Sequence, residues 1–170
     1  GQCLLSLGFI FLAMRLIGEG ARAATDQPEV WQILMILSGH PLLVAGLAML
    51  LAVMLQSSTA TLGLLLALAA SGVVQGGIIV PWVVGANLGI SITTLLIGWG
   101  SPDGRRIGFG ALSIKTAIAL PLLLFPAGAS FAFEFTPGDL ARKAAMLHTA
   151  FNAGAVFSAL ALGHWIEKWT

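Results

Sequence analysis

Two short polar runs carry most of the chemistry this sequence can offer. One is Gln56-Ser57-Ser58-Thr59, with Thr61 just beyond it; the other is Asn87, Ser91, Thr93 and Thr94, within residues 85–94. Hydroxyls and carboxamides both donate and accept hydrogen bonds. Beside a break in a helix they add to free backbone N–H groups, which suit an anion, and free carbonyls, which suit a cation. That set can hold an oxyanion and sodium together without a fixed charge. The plainer use of such residues is to tie helices together inside a bilayer. Three further side chains stand near this chemistry. Lys115 lies inside an apolar segment, about 12 Å of helix from Ile107, where a long side chain can snorkel to an interface. His148 and Asn152 stand four residues apart on one face. They read as supports for the polar runs rather than as ligands.

The elements that must position these groups are apolar helices. Charged residues make up 9% of the chain, against about 25% in a soluble domain. From Val30 to Pro102 there is no Asp, Glu, Lys or Arg, and His40 is the one histidine. So long a stretch without charge has lipid as its simplest solvent. A net charge of +1 gives no footprint for nucleic acid. No P-loop, GxSxG or HExxH signature occurs, and no enzyme activity is expected. The single Cys3 excludes an intrachain disulfide and a cysteine metal cluster. The chain starts with Gly1, without the basic region of a signal peptide, which suggests the interior of a longer protein or a processed one.

Along the chain, residues 1–24 read as a first helix whose end carries Arg15, Glu19 and Arg22 about one turn apart. Their spacing allows Glu19 to pair with both arginines at an interface. The apolar run 30–37 is too short to cross a bilayer, and Trp31 at its start suits the interface. Residues 41–74 are two arms of about 14 residues around Gln56–Thr59. Each arm is roughly 20 Å of helix against a hydrocarbon core of roughly 30 Å. One continuous helix would be about 50 Å long, so a re-entrant hairpin with its polar tip near mid-membrane fits better. Residues 77–98 are expected to form a helix bent at Pro81 and broken near Asn87, because glycines and Asn weaken a helix there. Residues 101–106 read as a loop, 107–125 as a spanning helix, 126–138 as a loop with Pro126 and Gly128, and 140–166 as a last helix. Asp139 is placed to cap that helix, and Trp165 and Trp169 mark its far interface. Since unpaired amides in lipid are costly, the two polar runs are expected to face one another.

The motifs Gln56-Ser57-Ser58-Thr59 and, about 25 residues on, Gly85-Ala86-Asn87-Leu88-Gly89 are similar to those of the sodium–phosphate cotransporter family, the type II transporters and their bacterial relatives. The resemblance extends through Arg105-Arg106, Lys115 and Leu120-Pro121 to Ala141-Arg142 and His148-Thr149-Ala150-Phe151-Asn152. About 150 of the 170 residues find a counterpart. The family has two inverted repeats, each with its own QSS motif. This chain has one, and its order of segments resembles the C-terminal repeat. Ile90 and Ser91 stand where the family often has Thr.

The resemblance implies an all-α integral membrane protein, one inverted-repeat half of a secondary transporter. It implies sodium-coupled transport of inorganic phosphate in a bacterial inner membrane, with sodium as coupling ion and no other cofactor. Gln56, Ser57, Ser58 and Thr59 would line phosphate and sodium; Asn87, Ser91, Thr93 and Thr94 would complete the site. A second repeat in the same or another chain, or a homodimer, would supply the other half. Two alternatives stay open: a transporter-derived structural subunit of a larger membrane complex, and a carrier of a related anion.

Overall fold

The computed structural model describes residues 1–125 and 133–168, and among these the regular structure is helical. The helices are α1 (Gln2–Thr25), α2 (Pro28–Ser38), α3 (Pro41–Leu55), α4 (Ser58–Ala70), α5 (Gly76–Gly98), α6 (Pro102–Leu124) and α7 (Leu140–Lys168). Pro126 and Gly128 of the expected loop, and Trp169, lie outside the described residues, as do the side chains of Trp31 and Trp165.

Among the described residues four helices are long and apolar enough to cross a membrane: Gln2–Ala23, Gly76–Gly98, Pro102–Leu124 and Leu140–Leu162. They are not equivalent. In α5, 72% of the apolar window is buried by other helices, against 0%, 11% and 6% in the other three. The fold is therefore a sleeve around α5. Ile78, Ile79, Trp82 and Val83 pack against Val44 and Ala48 of α3, Leu62 and Leu65 of α4 and Ala144 of α7. Val80 and Val84 pack against Ala119 of α6 and Phe151 of α7. The outer surface is apolar as well, with Phe9, Leu42, Leu50, Met54, Ile97 and Leu160 all exposed. Water is a poor solvent for such a surface and lipid a good one.

The expected break near Asn87 does not occur: α5 is one uninterrupted helix of 23 residues. Its glycines serve packing instead. A Cβ at Gly85 would overlap the Ala45 backbone, and one at Gly89 the Met49 carbonyl. Gly85 and Gly89 thus form a small-xxx-small seam that lets α3 and α5 touch backbone to backbone. Residues 45 and 49 meet residues 85 and 89 in the same order, so α3 and α5 run parallel. The polar side chains of α5 do not unwind it either. Asn87 Nδ2 donates to Val83 O (2.9 Å), Ser91 Oγ to Asn87 O (3.0 Å), Thr93 Oγ1 to Gly89 O (3.1 Å) and Thr94 Oγ1 to Ile90 O (2.9 Å). Each folds back on its own helix's preceding turn, which the helix tolerates.

Residues 101–106 are also not a loop. Ser101 Oγ accepts from the Gly104 N–H (3.0 Å), Pro102 takes the first helical position and Asp103 lies in the first turn. These are strong helix-start features. The earlier start lengthens α6 by five residues over the expected 107. The last helix begins as expected: Asp139 Oδ1 accepts from the Arg142 N–H at 2.8 Å.

Segment 41–74 breaks in the middle and returns. Pro41 and Gly76 line one cavity of about 340 Å³, so the segment leaves and comes back to the start of α5. Between α3 and α4, Gln56 adopts φ 52°, ψ 29°, and the N–H groups of Gln56 and Ser57 bond to Val53 O and Ala52 O. That pattern closes a helix C-terminus. Ser57 then caps the next helix, its Oγ accepting from the Ala60 N–H at 3.0 Å. Further back, α1 lies against α4 at Gly18, where Arg22 Nε donates to Ser71 O (3.0 Å) at the end of α4. Arg15 and Glu19 pair at 2.7 Å.

Candidate functional site

Of the eleven singled-out residues, eight fall into two groups and Ser91, Thr93 and Thr94 into neither, a division that differs from the expected one. The first group is the α3–α4 junction. Gln56 and Thr59 are exposed, and Ser57 and Ser58 half-buried. The arrangement follows from the local sequence. Gln56 in the left-handed conformation stops α3, and Ser57 starts α4 with no spacer between them. Two sets of orphan backbone groups therefore meet at one point. The capping bonds use Ala52 O and Val53 O, leaving the last carbonyls of α3, at Met54 and Leu55, free of helical partners. Ser57 takes the Ala60 N–H, which leaves the Ser58 and Thr59 N–H groups at the N-terminus of α4 without helical partners. The junction thus presents a carbonyl end to a cation and an amide end to an anion.

Trp82 holds α4 at this place, and sequence reasoning missed it. Its indole Nε1 donates to Thr61 O at 3.1 Å, and Thr61 Oγ1 donates to Ser57 O at 3.0 Å. Thr61 is completely buried. The available signal was the indole itself, since an N–H in a charge-free apolar run must find an acceptor inside the protein.

The second group joins three helices. Lys115 Nζ of α6 donates to Asn87 Oδ1 of α5 at 3.3 Å. Asn87 Nδ2 lies 3.3 Å from His148 Nδ1 of α7, and the Asn152 carboxamide lies 3.2 Å from His148 Nε2. Asn87 is fully buried. Both amide nitrogens, Asn87 Nδ2 and Asn152 Nδ2, are donors, and a neutral imidazole has one ring lone pair, so the ring of His148 can accept from one of them at a time. His148 and Asn152 of α7 thus stand beside Asn87 of α5, and the Lys115 ammonium is directed inward to Asn87 rather than snorkelling to an interface.

Gln56–Thr59 was expected to face Asn87–Thr94, and among the described residues no hydrogen bond joins the two runs. Ala52 of α3 packs at Gly89, and the junction begins one turn further on. The tip therefore lies past Gly89, on the side of Ser91 to Thr94, while Asn87 turns to α6 and α7. Ser91 and Thr93 are buried and bonded within α5, as Thr94 is bonded, so these three contribute packing and helix satisfaction here. Asn87, Ser91 and Thr94 follow one stripe of α5 at i, i+4 and i+7, so what parts Asn87 from the tip is its height along the helix, about one to two turns before Ser91 to Thr94.

The profile of the family described as Na+/Pi-cotransporter matches residues 9–163. The chain is 31% identical over 126 residues to the Escherichia coli (strain K12) protein named "Putative inorganic phosphate export protein YjbB", and 30% identical to the protein of that name in Salmonella typhimurium. These alignments cover 74% of this chain and 23% of each relative, so the chain spans about a quarter of the length of these relatives. No solved structure matches. The chain is an integral membrane protein of the Na+/Pi-cotransporter family.

Proposed function

We propose that this chain is one repeat of a sodium-coupled phosphate transporter of a bacterial inner membrane. In this reading residues 41–74 are a re-entrant hairpin, and a second, inverted repeat closes the site over its tip. One observation carries the proposal. At the α3–α4 junction Gln56 and Thr59 are exposed next to the apolar Met54 and Leu55, and two N–H groups and two carbonyls there have no partner within their helices. In lipid each such group costs free energy until it finds a partner. Phosphate at the amide end, sodium at the carbonyl end and a facing second repeat together satisfy them. Sodium also offsets the charge of the phosphate, which would be very costly alone at that depth. The relatives' printed name speaks of phosphate export; a secondary carrier runs in whichever direction its gradients dictate.

The topology has its own test. In a Cys3→Ser background, single cysteines at Pro41 and Gly76 should react with a membrane-impermeant maleimide from the same side. Labelling from opposite sides would refute the re-entrant hairpin.

The activity is tested with the full-length transporter, holding both repeats, in vesicles. Phosphate uptake should require a sodium gradient. Ser58→Ala should reduce phosphate or sodium affinity about tenfold to a hundredfold, the equivalent of about 1–3 kcal/mol for an unpaired partner in a dry site. Ser58 is the sharper probe because Ser57 also caps α4, and Ser57→Ala should cost about 1 kcal/mol of stability by that route. Uptake unaffected by Ser58→Ala would remove the tip from the site. Absence of uptake from an assembly holding both repeats would favour a structural subunit instead.

A further inference from the structure

We infer that Lys115 forms a second oxyanion subsite, in the groove between α6 and α7, separate from the α3–α4 tip; this rests on the transport reading above.

The first support is depth. With α6 starting at Pro102, Lys115 lies thirteen residues from one end and nine from the other, about 20 Å and 14 Å of helix. An ammonium on a stem of about 6 Å reaches neither end, so it stays within hydrocarbon depth. Its contact with Asn87 also directs it toward the bundle.

The second support is missing compensation. Helices α3, α4 and α5 contain no ionisable carboxylate, α6 has only Asp103 in its first turn, and α7 has none from Leu140 to Leu162. The nearest ionisable neighbour in the network, His148, is neutral or cationic. Asn87 offers a dipole, not a charge. An ammonium at this depth requires an anion nearby far more than a hydrogen-bonded amide. In a family whose cargo is phosphate, the anion that fits is the cargo.

The third support is room. Lys115 and Asn152 share the wall of a groove of about 320 Å³ with Ala111, Ala155 and Ala159. That is about ten waters' share of liquid volume, enough for a tetrahedral oxyanion with part of its hydration. The alanines leave the space open. Lys115 has three N–H donors and Asn87 uses one, so two remain for a ligand. Asn152 on the α7 side spends its Nδ2 on His148 O and faces His148 Nε2, so the donors for the anion are those of Lys115.

Because the tip is built from α3 and α4 and the groove from α6 and α7, the two sites can be read separately. The experiment uses the full-length transporter in nanodiscs with Cys3→Ser, other native cysteines removed, and Val156→Cys as a reporter. Val156 lines the groove, is exposed and is one turn from Asn152. A small neutral methanethiosulfonate labels it, with inorganic phosphate or chloride present. At a phosphate concentration ten times Kd the free fraction is about one eleventh, so labelling should slow about tenfold. The protection should persist with Ser58→Ala and with Lys115→Arg, and vanish with Lys115→Gln. Absence of protection in the Lys115 protein, while equilibrium dialysis shows that it binds phosphate, overturns the subsite and leaves the tip reading standing. Protection that survives Lys115→Gln overturns it too. If dialysis shows no phosphate binding at all, both readings fall.

Discussion

Asn87→Leu should destabilise this protein by about 3 kcal/mol. Leucine fits the volume, so the loss does not come from a cavity. It comes from what Asn87 leaves behind. Its Oδ1 is the acceptor for Lys115 Nζ, and its Nδ2 lies against His148 Nδ1 as well as donating to Val83 O. Removing a hub leaves each former partner unpaired in a poorly solvated place, at about 1–3 kcal/mol apiece. Asn87→Asp separates the electrostatics from the packing. A carboxylate there still accepts from Lys115 and compensates its charge, so Asn87→Asp should unfold nearer to wild type than Asn87→Leu does. It should also abolish phosphate protection of the α6–α7 groove, because Lys115 then has its counter-ion. Denaturant titration in detergent micelles, followed by circular dichroism, gives the comparison. An Asn87→Leu variant within about 0.5 kcal/mol of wild type would show that the three-helix network does not hold the bundle together.

Gly85→Val should have an equal or larger effect for a purely steric reason. The new Cβ falls on the backbone of Ala45, which cannot rotate away as a side chain could. Helix α3 has to move off α5, and with it the Gln56–Ser57 junction that α3 carries. Overpacking of this kind costs about 1–3 kcal/mol, and more where backbone must shift. Gly46 and Gly63 are the controls, since nothing lies within 4 Å of a Cβ at either position. Alanine at those two should be neutral or stabilising by up to about 1 kcal/mol, through helix propensity. The monodisperse yield after detergent extraction and the thermal midpoint of each variant decide the matter. If Gly85→Val extracts and melts like Gly46→Ala, the seam between α3 and α5 is not the contact that sets the fold.

Sequence alone determined the class and most of the helices. The charge-free run from Val30 to Pro102 requires a lipid solvent whatever the tertiary arrangement, because charge density is a property of composition. The half-length arms around Gln56–Thr59 follow from counting residues against the thickness of a bilayer. The cap at Asp139 was legible because capping is local and depends on a few adjacent residues. The start of α6 was equally legible in Ser101-Pro102-Asp103, which supply the cap, the first-turn proline and the first-turn acid of a helix. What the tertiary structure decided is where side chains on one helix are aimed. Gly85, Asn87 and Gly89 looked like a helix break; only the proximity of α3 shows that the glycines are needed for contact and the helix stays whole. Lys115 had two directions open to it, outward to the interface or inward. The choice depends on Asn87 standing across from it, 28 residues away in sequence. Trp82 and Thr61 meet across 21 residues for the same reason. Periodicity tells which residues share a face, but which neighbour that face meets is fixed by packing between distant segments, and one sequence read along its length contains no measure of that distance.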